Sequence, residues 1–198
     1  ASGTPIFRSG KMTSSVIVDL CIYLNRLLAP TTTVHGVLMD VFGAGILLTG
    51  NSGVGKSETA MELIKRGHRL VADDSVLIKR IENELVGTAP ERIRYFMELR
   101  GIGIINVKNM YGSGAVMTEK AIELVMELEP WRKDKEYDRI GGEDSKETIL
   151  GLEIPKLTVP VSAGRNLAIL IEVAARDQRL KGMGYDAASE LIARTIGR

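Results

Sequence analysis

From Ser15 onward, Ile17, Leu20, Cys21, Leu24, Leu27 and Leu28 recur at helical spacing, until Ala29-Pro30 stops the run. The ten residues before it, up to Gly10, read as a linker. Thr31–Thr33 lead into an apolar, β-branched run, Phe42-Gly43-Ala44-Gly45 reads as a tight turn, and Ile46–Thr49 as the return strand. Val34–Thr49 is therefore expected to form one hairpin, with His35 near its start. A glycine-rich loop follows, then a helix from Ser57 to about Arg66, closed by Gly67. His68–Ala72 and Val76–Ile81 read as short strands on either side of Asp73-Asp74. Tyr95–Val107 is strand-like, broken at Gly101 and Gly103.

In Ile122–Glu129, Ile122, Leu124, Met126 and Leu128 are separated by Glu123, Glu127 and Glu129, so period two predicts a strand where composition suggests a helix. Arg132–Glu147 holds eleven charged residues in sixteen and reads as a solvated, mobile loop. Leu152–Val161 is a further strand, placed at a sheet edge by Pro155 and Pro160. Asn166–Leu180 has helical spacing ending at Gly182, and Asp186 is a good N-cap for a last short helix. About eight strands and four helices predict a mixed α/β or α+β domain.

Composition narrows the function. The 198 residues carry 26 Lys+Arg against 25 Asp+Glu, a net charge of +1, which excludes a polyanion binder working by bulk charge. One cysteine, Cys21, excludes an internal disulfide framework and a cysteine-based zinc cluster, and fits a reducing, cytoplasmic setting. No apolar run reaches the ~18 residues of a membrane span. Neither a nucleic-acid nor a membrane partner is expected.

The chemistry concentrates at Gly50-Asn51-Ser52-Gly53-Val54-Gly55-Lys56-Ser57, a full match to G-x-x-x-x-G-K-[ST] between a strand and a helix. Its glycines let backbone N–H groups wrap a phosphate, and the helix N-terminus adds about half a positive charge. Lys56 is placed for the β/γ-phosphates and Ser57 for Mg²⁺. Asp73-Asp74 closes the next strand, seventeen residues after Lys56. One acid suits the metal and the other suits taking a proton from an attacking hydroxyl. No Asn-Lys-x-Asp motif supports a Ras-like GTPase. His35 and His68, taken alone, read as structural or surface residues. Pro160-Val161-Ser162-Ala163-Gly164-Arg165, ahead of a long helix, reads equally as a second anion site or as a plain capping loop.

Thr33–Leu38, Gly50–Ala60, Gly67–Asp74 and above all Glu98-Leu99-Arg100-Gly101-Ile102-Gly103-Ile104-Ile105-Asn106-Val107 resemble the signatures of bacterial HPr kinase/phosphorylase; Pro160–Asn166 resembles a later one. The resemblance runs from about Pro5 to the end of the chain. It implies a P-loop core like that of phosphoenolpyruvate carboxykinase, with a mixed sheet and flanking helices. It implies an enzyme that uses ATP and Mg²⁺ to phosphorylate a regulatory serine of the phosphocarrier HPr. The reverse path has inorganic phosphate attack the seryl phosphate and release pyrophosphate. Family members are typically homohexamers, controlled by fructose 1,6-bisphosphate and phosphate, and serve carbon catabolite repression and sugar uptake.

By that resemblance, Gly50–Ser57 bind ATP, and Ser57 with Glu98 form the metal site. The Asp73-Asp74 pair accepts the serine proton and returns it in the reverse direction. Asp74 is the expected base and Asp73 the acid nearer the metal, unless the pair shares the proton. His35 orients an acid or a phosphate, Arg139 stabilises transition-state charge, and Pro160–Arg165 serve mainly the phosphorylase direction. Residues 1–30 are expected to be a linker and helix left from an interdomain region, and 31–198 the catalytic domain. The family's N-terminal domain is absent, so the chain reads as a catalytic fragment, short of some C-terminal length as well. A small-molecule kinase on the same core and a non-catalytic nucleotide sensor are the alternatives. The Glu98–Val107 signature argues against the first, and the full set of acids, base and arginine against the second.

Overall fold

The computed structural model describes residues 3–135, 137, 145–162 and 164–196. Its centre is the hairpin of β2 (Val37–Val41) and β3 (Ala44–Gly50). Their near-continuous apolar runs are buried on both faces, as a central strand requires. Val37, Met39, Ile46 and Leu48 face α2 (Lys56–Lys65) and α4 (Leu167–Gly182), while Leu38 and Leu47 face a second sheet. The result is three layers: helices, a six-stranded sheet and a four-stranded sheet.

In the large sheet, β4 (Arg69–Ala72) pairs antiparallel with β2. On the other side, β10 (Leu124–Pro130) lies parallel to β3, β12 (Leu152–Val161) parallel to β10, and β11 (Lys146–Ile149) antiparallel to β12. The loops leaving β3, β10 and β12 thus share one edge of the sheet, where ligands bind in open α/β folds. The small sheet is the antiparallel order β1 (Thr31–His35), β5 (Ser75–Ile81), β6 (Glu84–Thr88) and β9 (Glu119–Ala121). A separate hairpin joins β7 (Phe96–Leu99) and β8 (Gly103–Asn106). The short helices α3 (Val107–Tyr111) and α5 (Ala187–Ile196) complete the order. α5 is capped by Asp186, which accepts from the Ser189 N–H at 3.1 Å.

Several expectations need correction. Val34–Thr49 is not one hairpin: the chain breaks at Gly36, β1 joins the small sheet against β5, and only β2–β3 forms the hairpin. Tyr95–Val107 folds back on itself because Gly101 and Gly103 make a turn inside it. Twelve strands, not eight, occur among the described residues, since short pairings such as β9 and β11 carry no strong pattern of their own. β12 is interior in the sheet order rather than an edge. Its first half pairs with β11 and its second half with β10, so each proline still has one flank outside a ladder.

α1 (Thr13–Leu27) forms as its spacing predicts, yet none of its residues is buried. No helix among the described residues is long and apolar enough to cross a membrane.

Candidate active site

The site forms where β3 ends and α2 begins. Gly50 closes β3 at φ 126°, and a Cβ there would lie 2.1 Å from the Leu128 carbonyl oxygen on β10, so no side chain fits. Gly55, left-handed at φ 101°, turns the loop into α2. The half-turn is held by Val54 N–H to the Asn51 carbonyl at 3.3 Å and Thr59 Oγ1–H to the Gly55 carbonyl at 2.7 Å. The Lys56 ammonium folds back over this loop and donates to the carbonyls of Gly50 at 2.8 Å and Asn51 at 3.1 Å. Burial lowers its pKa below the ordinary lysine value, against the pull of Asp73 and Asp74.

Asp73 and Asp74 follow β4 at the reversal into β5, and the structure separates them by environment. Asp73 is buried. Its Oδ1 accepts from Ser57 Oγ–H at 2.8 Å and its Oδ2 from the Glu98 N–H at 3.2 Å. Burial raises its pKa, and those two hydrogen bonds partly offset the rise. Asp74 has φ 66° and an exposed side chain. His35, at the end of β1, places Nδ1 2.9 Å from the Asp74 carbonyl oxygen and 3.2 Å from its Oδ1. The β1–β5 register sets this contact by pairing His35 with Ser75.

The β7–β8 hairpin forms the remaining wall. Met97 and Leu99 anchor β7 in the core, leaving Glu98 on the open face. Glu98 lines the same cleft as His35, Lys56, Ser57, Asp73 and Asp74. Among the described residues no three acidic, histidine or cysteine side chains form a ready metal cage. A serine hydroxyl beside one buried carboxylate, with a second carboxylate across the cleft, instead fits Mg²⁺, which uses few protein ligands plus substrate phosphates.

Arg139 and Ala163 lie outside the described residues. Pro160 and Val161 end β12, Ser162, Gly164 and Arg165 lead on toward α4, and none of them lines this cleft. Arg165 Nη1–H donates to the Pro160 carbonyl at 3.3 Å, and Asn166 caps α4 by accepting from the Ile169 N–H at 3.2 Å. His68 is buried far along the fold against Phe42 and Glu172, the structural role its pattern suggested. Sequence reasoning assigned no role to Arg100 or Glu58, which also line the cleft. Arg100's place within the Glu98–Val107 signature was the available signal.

Comparison with known proteins gives a consistent result. Residues 26–195 match the family model described as HPr Serine kinase C-terminal domain. The chain is 56% identical over 191 residues to the HPr kinase/phosphorylase of Geobacillus kaustophilus (strain HTA426), covering 96% of this chain and 61% of that protein. It is 53% identical over 194 residues to that of Bacillus pumilus (strain SAFR-032), covering 98% and 63%. Among solved structures, the Hpr(Ser) kinase/phosphatase from Coxiella burnetii matches with a TM-score of 0.73 at 36% identity, covering 81% of this chain and 98% of that one. The chain thus spans about three-fifths of the length of the curated relatives it matches. With the P-loop, the paired acids and the signature hairpin in place, this chain belongs to the HPr serine kinase C-terminal domain family.

Proposed function

We propose that the chain carries the phosphoryl-transfer centre of an ATP-dependent protein-serine kinase and phosphorylase acting on HPr. The observation that carries this reading is the division of labour between the adjacent acids: Asp73 buried against Ser57, Asp74 exposed and held by His35. Gly50–Ser57 cradle the ATP phosphates, and Lys56 exchanges its two carbonyl partners for phosphate oxygens. Ser57, Asp73 and Glu98 would hold Mg²⁺, which would supply charge neutralisation at the phosphates.

Asp74 takes the proton from the serine hydroxyl as its oxygen bonds to the γ-phosphorus and the bond to ADP breaks. His35 keeps the Asp74 carboxylate turned toward the acceptor. In reverse, an oxygen of inorganic phosphate bonds to the seryl phosphorus. The serine oxygen leaves with the proton Asp74 returns, and pyrophosphate departs. Arg139 and Pro160–Arg165 serve the transferring phosphoryl group and the attacking phosphate. Residues 1–30 act as interdomain linker and helix ahead of a catalytic domain at 31–198. The whole protein works in the cytoplasm as a homohexamer under control of fructose 1,6-bisphosphate and phosphate.

Incubation with Mg²⁺, γ-labelled ATP and HPr, beside HPr with its regulatory serine changed to alanine, tests the reading. Label on wild-type HPr alone, discharged as pyrophosphate on adding phosphate, is expected. Persistent ATP binding without labelled HPr, in this chain and in a full-length protein alike, would overturn it.

A further inference from the structure

Arg100 sits in the turn between β7 and β8, where the Ile102 N–H donates to the Leu99 carbonyl at 3.0 Å. The base of this turn is fixed: Met97 and Leu99 are buried beneath it, and the Glu98 N–H is tied to Asp73. From there the Arg100 side chain crosses to the P-loop, where Nη2–H donates to Ser52 Oγ at 3.1 Å. Gly53 makes the approach possible: a Cβ there would lie 2.6 Å from Nη1 and 3.2 Å from the central guanidinium carbon.

The partners are informative. Four carboxylates, Glu58, Asp73, Asp74 and Glu98, line the cleft with Arg100. Among the described residues, none of them forms an ion pair with it; its hydrogen bond goes to a neutral hydroxyl and uses one of five N–H donors. Lys56 shows the same pattern, bonding two neutral carbonyls. The two cations lie close enough that Arg100 lowers the Lys56 pKa. Two cations sharing a cleft and resting on neutral oxygens form a site for a group with several negative charges and planar pairs of oxygens.

We infer that Arg100 is a phosphate-contacting residue: its guanidinium leaves Ser52 for the polyphosphate chain of the bound nucleotide, so that the β7–β8 hairpin and the P-loop close on the phosphates from opposite sides. This rests on the reading of the cleft as a nucleotide site and adds a contact to it. The fork geometry of the guanidinium suits two oxygens of one phosphate, which the Lys56 point charge does not.

Titration calorimetry of the full chain with Mg-ATP and with inorganic pyrophosphate tests this, using wild type, Arg100→Gln and Arg100→Lys. The Gln variant is expected to bind both anions about 10- to 100-fold more weakly, with the Lys variant between. Ligand-free unfolding temperature is expected to stay near wild type, because the side chain is exposed. Unchanged pyrophosphate affinity in Arg100→Gln would overturn the assignment. So would weaker binding accompanied by a large drop in ligand-free stability, which would make Arg100 a brace of the empty loop. Neither measurement uses HPr, so failure to phosphorylate HPr would count against the proposed function and leave this result standing.

Discussion

Asp74 adopts φ 66°, a left-handed conformation that asparagine also tolerates well. Asp74→Asn therefore keeps the turn and an oxygen for His35 while removing the proton acceptor. HPr phosphorylation by this variant should fall about 10²- to 10⁴-fold in kcat. A loss below tenfold in steady-state kinetics would place the base elsewhere. Asp73 gives a pH prediction. Burial raises its folded-state pKa, so between the ordinary carboxylate value, about 4, and the raised value, the folded chain holds a proton that the unfolded chain has released. Stability contributed by this group is therefore lost as pH rises through that window. Asp73→Asn should remove that decline and unfold at higher urea than wild type at pH 7 in ligand-free protein. Urea titrations of both proteins from pH 4 to 8 read the difference. That the two acids would lie together at the end of an apolar strand was legible in the sequence, and both line the cleft with Lys56 and Ser57. Which one is buried was not legible, because that depends on how β4 reverses into β5 and where Glu98 presents its N–H.

At the scale of elements, the strand-loop-helix of β3, Gly50–Gly55 and α2 was legible because local signals determine it. What lies beside Gly50 was not: β10 is more than seventy residues away in sequence, and its register brings the Leu128 carbonyl against Gly50. Gly50→Ala should therefore destabilise the fold, by about 1–3 kcal/mol for an overpacked position. Chemical denaturation checks this, and an unchanged midpoint would mean that β10 yields. The strand β10 itself was read correctly from alternating glutamates. Within it, Val125 faces the second core, so the strand is buried on both faces there. The errors have two causes. The break at Gly36 and the change of partner along β12 depend on pairing with distant strands, which a local pattern does not encode, whereas the β7–β8 turn is local and its signal was the two glycines that interrupt the run.

For the whole molecule, the fold class followed from the order of apolar runs, and the layers from runs buried on both faces. The first helix breaks that agreement. Its apolar residues follow the expected helical spacing, yet Ile17, Leu20, Ile22, Tyr23 and Leu27 are all more than half exposed. Among the described residues, the ion pair that joins α1 to the body is the exposed Arg26–Glu119 at 3.4 Å, and exposed pairs contribute about 0–1 kcal/mol. A helix apolar around most of its circumference is not stabilised by water. Removing residues 1–25 should therefore leave the unfolding free energy from urea titration within about 0.5 kcal/mol of wild type, the range for changes away from the core. It should also reduce binding of an apolar dye such as ANS, by taking away contiguous exposed apolar area. A clear loss of stability on truncation would mean that α1 packs against the domain in solution. Unchanged dye binding would mean that the exposed apolar area lies elsewhere, with Ile102 and Ile104 of the signature hairpin the next residues to test.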